Sequence, residues 1–236
     1  MRLDKFLCDS GFGTRKDAAL IIKHGRVQIE GLSAVKANTD ITGKKVFVDG
    51  QQIEYEDEIY LMMNKKAGVL TAARDKNAPT VMDELPQVAL RRGISPVGRL
   101  DKDVTGLLLF TTNGELNHRL TSPKRNVEKR YIAKVDGVLS QNDIKLFEEG
   151  LDLGDFIAKP GKLSILEPNV GQVIVTEGKF HQVKRMFEKV GKPVLELKRV
   201  ETAGVLLDES LLPGQFRPLT QDEISLLKKA CQMEDE

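Results

Sequence analysis

The chain has 236 residues, 40% hydrophobic and 30% charged, an ordinary globular composition and a length for two or three compact units rather than one small module. No apolar run approaches the ~20 residues of a membrane-spanning helix, and the opening "MRLDKFL" is charged where a secretory signal would be apolar. The net charge of +1 hides a segregation: basic clusters at 2–26, 119–130 and 179–199 stand against acids at 54–58 and in the C-terminal "MEDE". One such cluster reads first as a solvated helix face; three together point toward a polyanion such as nucleic acid.

In chain order, Leu3, Phe6 and Leu7 have helical spacing, and "GFG" ends that helix. Thr14 opens a second helix, with Asp17 three residues on as a capping-box variant. Ala18, Ala19, Ile21 and Ile22 are its expected apolar side, and Gly25 sits where a left-handed C-cap belongs. "RVQIEG" alternates as a short strand and turn, and "KKVFVDGQQI" reads as strand, Asp-Gly turn, strand. Residues 1–55 are thus expected to form one unit of two short helices and small strands. It is studded with Arg2, Lys5, Arg15, Lys16, Lys23 and Arg26. The acidic "EYEDE" at 54–58 is the expected linker, and 56–236 the second domain. Strands are predicted there at 60–63, 69–71, 107–112, 131–135, 163–166, 172–176 and 194–200. Thr112 with Glu115, Ser140 with Asp143, and Thr220 with Glu223 mark helix starts. Strands and helices do not alternate strictly, so the predicted class is α+β, with a mixed, largely antiparallel sheet flanked by helices.

The stretch "GRLDKDVTGLLLFTTNGEL", residues 98–116, sets Arg99, Asp101 and Asp103 at the entrance of an apolar strand. Aspartates there can be turn formers, metal ligands, half of a glycosidase-like acid/base pair, or a nucleophile held by a cation. A metal is poorly supported: no oxygen cage, HExxH or Cys/His set stands nearby, and Cys8 and Cys231 lie at opposite ends of the chain. That cysteine usage fits a reducing cytoplasm. A second stretch, "TEGKFHQVKRMFEKVG" at 176–191, brings the cation. Read as a helix over 180–190 at about 100° per residue, it puts Phe180, Val183, Met186, Phe187 and Val190 on one core-facing arc. Lys184 falls beside that arc, and Arg185 points well away, toward solvent or ligand. A lysine in such a place often only snorkels. It can also reach a carboxylate inside a cleft and keep it ionised.

Together, "GRLDKDVTGLLLFTTNGEL" and "EGKFHQVKRMF" resemble the RsuA-type pseudouridine synthases, which isomerise uridine in ribosomal RNA. "RLDKFL" and "GTRKDAALIIKHGRVQIEG" resemble the S4 RNA-binding module that precedes the catalytic part in that family. The likeness spans nearly the whole chain, with three separated motifs in order. It departs at "NKK", residues 64–66, where the family has Asn-Lys-Pro. The resemblance implies Asp101 as the catalytic aspartate and nucleophile, and Tyr131, in "EKRYIAKV", as the tyrosine that stacks on the target base. It implies Lys184 as the cation paired with the aspartate, and Asp103 as structural only. RNA contacts are expected from Arg2, Lys5, Arg15, Lys16, Lys23 and Arg26 in the S4 module and from Arg99, Arg130, His181 and Arg185 around the site. "HQVKRMF" sides with the small-subunit type, so the implied partner is 16S rRNA or an assembling small subunit, met by a cytoplasmic monomer away from any membrane. The implied reaction breaks N1–C1′, turns the base and joins C5 to C1′, with no redox change, and so implies no cofactor and no metal. Two alternatives stand beside this: a large-subunit rRNA synthase, and a catalytically silent S4-type RNA-binding protein.

Overall fold

The computed structural model describes residues 1–32 and 35–233, so Glu234, Asp235 and Glu236 of the acidic tail lie outside the described residues. The chain forms two compact units, Met1–Glu58 with Pro86–Ile94, and Ile59–Leu85 with Ser95–Glu236.

The first unit begins with helices α1 (Leu3–Asp9) and α2 (Arg15–Lys23), followed by β1 (Val27–Ile29), β2 (Val46–Val48) and β3 (Gln51–Ile53). The strands pair antiparallel in the order β1-β2-β3. At the start of α2 the Thr14 hydroxyl accepts the Asp17 N–H, and the Asp17 carboxylate accepts the Thr14 N–H in return. This satisfies donors that the first helical turn leaves free. Asp49 and Gly50, with φ of +51° and +79°, form the tight turn between β2 and β3. Two left-handed central residues give the twist a two-residue hairpin needs. The core gathers Leu3, Phe6, Leu7, Ala18, Val27, Ile29, Ile41, Val46 and Val48, and each large apolar side chain buried there contributes about 1.5–3 kcal/mol. Of the expected apolar side of α2, only Ala18 is buried; Ala19 is exposed, and Ile21 and Ile22 are half-buried. The helix meets the core along one edge, narrower than its sequence implied. A third helix, α3 (Gln87–Arg91), packs on α1 and buries Ala89. Arg91 donates to the Gly13 carbonyl at 2.8 Å, and the Arg92 guanidinium lies 4.6 Å over the Tyr55 ring.

The second unit contains β4 (Tyr60–Lys65), β5 (Ser95–Pro96), β6 (Thr105–Thr111), α4 (Gly114–Thr121), β7 (Lys129–Val135) and α5 (Gln141–Glu149). It continues with β8 (Leu151–Asp152), β9 (Ile157–Ala158), β10 (Lys162–Glu167), β11 (Val170–Val175) and α6 (Gln182–Lys189). It ends with β12 (Val194–Thr202), β13 (Val205–Leu206), β14 (Phe216–Pro218) and α7 (Gln221–Ala230). Nine strands form one sheet in the order β10-β11-β7-β12-β6-β4-β14, with β5 on β6 and β13 on β12. Its pairs are antiparallel apart from β12 with β6, which makes the sheet mixed and largely antiparallel. Strands β8 and β9 form a separate hairpin. Ser140 and Thr220 cap α5 and α7 with Asp143 and Glu223 as expected. Helix α4 starts one residue later than predicted. Asn113 is its cap and accepts the Leu116 N–H at 2.8 Å, because the Thr112 hydroxyl is engaged with the Ile59 N–H. The strand predicted at 69–71 is absent: a single Leu70–Thr80 bridge forms, and Thr71 turns its hydroxyl to the neighbouring loop. Among the described residues no helix is long and apolar enough to cross a membrane.

One contact in this sheet sets up the site. At Gly106, with φ of +96°, a Cβ would fall 2.2 Å from the Arg199 carbonyl oxygen. Only glycine lets β6 lie this close alongside β12. That parallel pairing places the loop before β6 two strands from β7.

Candidate active site

Asp101 lies in the tight turn that leads from Leu100 into β6, closed by Val104 N–H donating to the Asp101 carbonyl at 3.2 Å. This turn is pinned from beneath. The Thr71 hydroxyl donates to the Leu100 carbonyl at 2.8 Å, and Gly68 N–H donates to the Lys102 carbonyl at 2.8 Å. The strongest anchor is Lys65, at the end of β4 and 1% exposed. Its ammonium sits within 3.2 Å of four carbonyl oxygens, those of Lys66, Asp101, Lys102 and Val104. Burial pushes this lysine down to about 8, against the pull of Asp103 and Asp101. Lys65 thus fixes the backbone on which the aspartate is carried. The sequence motifs do not single it out; a lysine closing the apolar run "YLMMNK" is the signal the sequence offers. Lys66 itself pairs with Glu84 at 2.7 Å.

The second wall comes from β7 and α6. Tyr131 is opposite Arg199 on β12 and Val173 on β11, and is 8% exposed. Asp101, Tyr131, Arg99, His181 and Lys184 line one cleft with about 450 Å³ of free space, open to solvent. Lys184 Nζ lies 3.7 Å from Asp101 Oδ2, and His181 Nε2 lies 3.5 Å from Asp101 Oδ1. Lys184 is closer to Asp103, donating to both its oxygens at 2.6 and 2.7 Å. That bond holds the Asp103 carboxyl below the usual carboxylate range. Asp103, expected to be structural only, is therefore the nearer partner of the lysine. A buried carboxylate, Glu177, also lines the cleft, accepting the Lys159 N–H at 2.8 Å and the Gln182 amide at 2.9 Å. Nothing in the sequence singled it out.

The remaining expected contacts separate into free and occupied cations. Arg15, Lys16 and Lys23 are exposed on α2, and Arg99 is exposed at the cleft. Arg2 is paired with Asp4 at 2.8 Å, Lys5 with Asp9, and Arg26 with Asp49 through an Nε bond of 2.9 Å. Arg130 pairs with Glu201 at 2.8 Å, and its Nε is buried without a hydrogen-bond partner. Arg185 is bound to the β8–β9 hairpin through Asp155 and the Leu153 carbonyl, and its guanidinium lies 5.0 Å over Phe156. It points away from the core as expected, but toward this hairpin. Phe180 departs from the helical arc. Helix α6 starts only at Gln182, after His181 in a left-handed conformation with φ of +49°, and Phe180 is 75% exposed. Val183, Met186 and Phe187 do face the core, where Phe187 packs against Phe147. Among the described residues, no three His, Cys, Asp or Glu side chains gather in a group able to hold a metal ion.

An aspartate on a pinned turn shares this cleft with a cation and an aromatic wall, and residues 1–34 match the family model described as S4 domain. Residues 59–189 match the family model described as RNA pseudouridylate synthase, and the chain belongs to that family. An uncharacterized RNA pseudouridine synthase of Bacillus subtilis (strain 168) is 43% identical, with 97% of this chain and 99% of that protein covered. The ribosomal small subunit pseudouridine synthase A of Escherichia coli (strain K12) is 34% identical over 95% of this chain and 99% of its own. The ribosomal large subunit pseudouridine synthase B of Bacillus subtilis (strain 168) is likewise 34% identical, over 96% and 95%. A crystal structure of pseudouridylate synthase superposes with a TM-score of 0.69 at 35% identity, covering 96% of this chain and 99% of that one.

Proposed function

We propose that this pseudouridine synthase modifies a uridine of small-subunit ribosomal RNA, with Asp101 as nucleophile, Tyr131 as the stacking wall for the target base and Lys184 as the cation facing the aspartate. The observation that carries the reading is the shared cleft of Asp101 and Tyr131, with Lys184 Nζ at 3.7 Å from the carboxylate. A uridine inside a helix must leave its stack to enter such a cleft. An aromatic face compensates by roughly 1–3 kcal/mol per base. Arg99, exposed at the cleft, suits the phosphates beside the target, and Arg15, Lys16 and Lys23, exposed on the first unit, suit phosphates elsewhere on the RNA; such contacts position the RNA without reading its sequence. His181, beside the carboxylate, is proposed as a further RNA contact. Arg2, Lys5, Arg26, Arg130 and Arg185 are already paired with carboxylates, which weakens their pull on phosphate. Support for the small subunit comes from "HQVKRMF", which resembles the small-subunit type; the two relatives at 34% identity carry names for both subunits.

Mass-spectrometric mapping of pseudouridine in both rRNAs, from cells with and without the gene, tests this. One small-subunit uridine should remain unmodified without the gene, and be restored by the wild-type protein but not by Asp101→Asn. That variant should bind RNA nearly as well as the wild type. A lost site in large-subunit rRNA would move the substrate there, and an unchanged map in both would overturn the reading.

A further inference from the structure

The segment that carries His181 has a feature that the reaction does not use. An N-cap residue is ordinarily extended, and its side chain commonly bonds the helix's free N–H groups. His181 instead caps α6 in the left-handed conformation, with φ of +49° and ψ of 25°, and without a side-chain cap bond. Histidine adopts this region more readily than most side chains, yet non-glycine residues seldom do, and such outliers concentrate at ligand sites. The turn has one visible consequence. It takes Phe180 off the helix, away from the core that Val183 and Phe187 enter, and leaves it 75% exposed.

The exposed ring is not loose. It lies flat on the His181 imidazole, with centroids 3.8 Å apart and planes 16° from parallel. His181 lines the cleft and sets its Nε2 at 3.5 Å from Asp101. The two rings therefore form a short stack, one end at the aspartate and the other open to solvent. Phe156 makes a useful contrast: its face is covered by Lys179 at 3.9 Å and by Arg185 at 5.0 Å. Among the described residues no ring or cation other than His181 packs on Phe180.

We infer that Phe180 is a stacking platform for a second RNA base, the neighbour of the target uridine. This rests on the uridine-isomerase reading and deepens it. When the target base is extruded, its neighbour loses a stacking partner. A planar hydrocarbon face stacked on His181, which itself lines the cleft, replaces that partner and, having no hydrogen-bonding edge, accepts any base. The tyrosine in the wall holds the target itself, so the two aromatics serve adjacent nucleotides.

The test uses the full chain and single-stranded RNA oligonucleotides with 2-aminopurine beside a central uridine. Phe180→Ala should raise Kd about tenfold, the loss of one base stack, and remove the fluorescence quenching that stacking produces. Phe180→Trp and Phe180→Tyr should keep both, whereas Phe180→Leu, apolar but not aromatic, should lose the quenching. An oligonucleotide abasic at the neighbouring position should bind the wild type about tenfold more weakly and Phe180→Ala no more weakly than its parent. The urea midpoint of Phe180→Ala should match the wild type, since the ring is exposed. Unchanged Kd and quenching in Phe180→Ala, or an abasic penalty that persists in it, would overturn the inference. Pseudouridine mapping of rRNA treated with the wild type reports separately on the isomerase reading, whose failure leaves these binding results standing.

Discussion

Replacing Lys65 by methionine should damage stability and catalysis together, although the residue touches no substrate-facing surface. Its ammonium is shared among four carbonyl oxygens within 3.2 Å, three of them on the turn that carries Asp101. Nζ has three protons, and each hydrogen bond from a charged donor contributes roughly 1.5–3 kcal/mol. Methionine removes these bonds but also relieves the burial that lowers the lysine from 10.5 to about 8, a relief of about 3 kcal/mol. The carbonyls left without a donor outweigh that relief, so the net loss of stability should be about 2–5 kcal/mol. The freed turn should also shift Asp101, and a misplacement on the order of 1 Å costs about a hundredfold in rate. Urea unfolding gives the first number, and single-turnover rates at a temperature where the variant is folded give the second. A variant with an unchanged midpoint and a rate within threefold of wild type would refute the assignment of Lys65 as the anchor of the turn.

Asp103→Asn should lower the single-turnover rate only about twofold to fivefold, because an ion pair with so exposed a carboxylate contributes ~0.2–1 kcal/mol. A variant as inactive as Asp101→Asn would mean that both carboxylates act. Lys129 is pushed down to about 8 by burial and then by Arg199, so the unfolded chain holds this proton more tightly between pH 8 and 10.5. The native protein therefore carries a penalty below that window and sheds it as pH rises, and wild type should gain about 2 kcal/mol over Lys129→Met between pH 7 and 9.5. Urea midpoints that keep a constant gap would contradict the shift. On α2, the double change Arg15→Ala with Lys16→Ala should weaken RNA binding and reduce its salt slope by roughly 1.4–1.8. Arg26→Ala, removing a cation already matched by Asp49, should do much less; equal effects in filter binding would show that the pair opens on RNA.

Local chemistry makes much of this protein legible in its sequence. The capping pairs at Thr14, Ser140 and Thr220, the Asp49–Gly50 turn and the apolar strand at 107–110 act within a few residues of themselves, so their positions could be read directly. The stretches around Asp101 and Lys184 and the S4-like N-terminus were also readable, as a resemblance, and with them the class of reaction and the expected role of Tyr131. Tertiary structure decided what depends on distant partners. Whether Lys184 favours Asp101 or Asp103 turns on 1 Å across a gap of some eighty residues in sequence. Helical periodicity placed Phe180 in the core because it cannot register a left-handed residue at His181 that starts the helix later. Lys65, read in the sequence only as part of "NKK", gains its role when the loop folds over it, and several cations expected to meet RNA are matched by carboxylates elsewhere in the chain. A sequence states which charges exist; burial and pairing, which decide what each one does, arise only when remote segments meet.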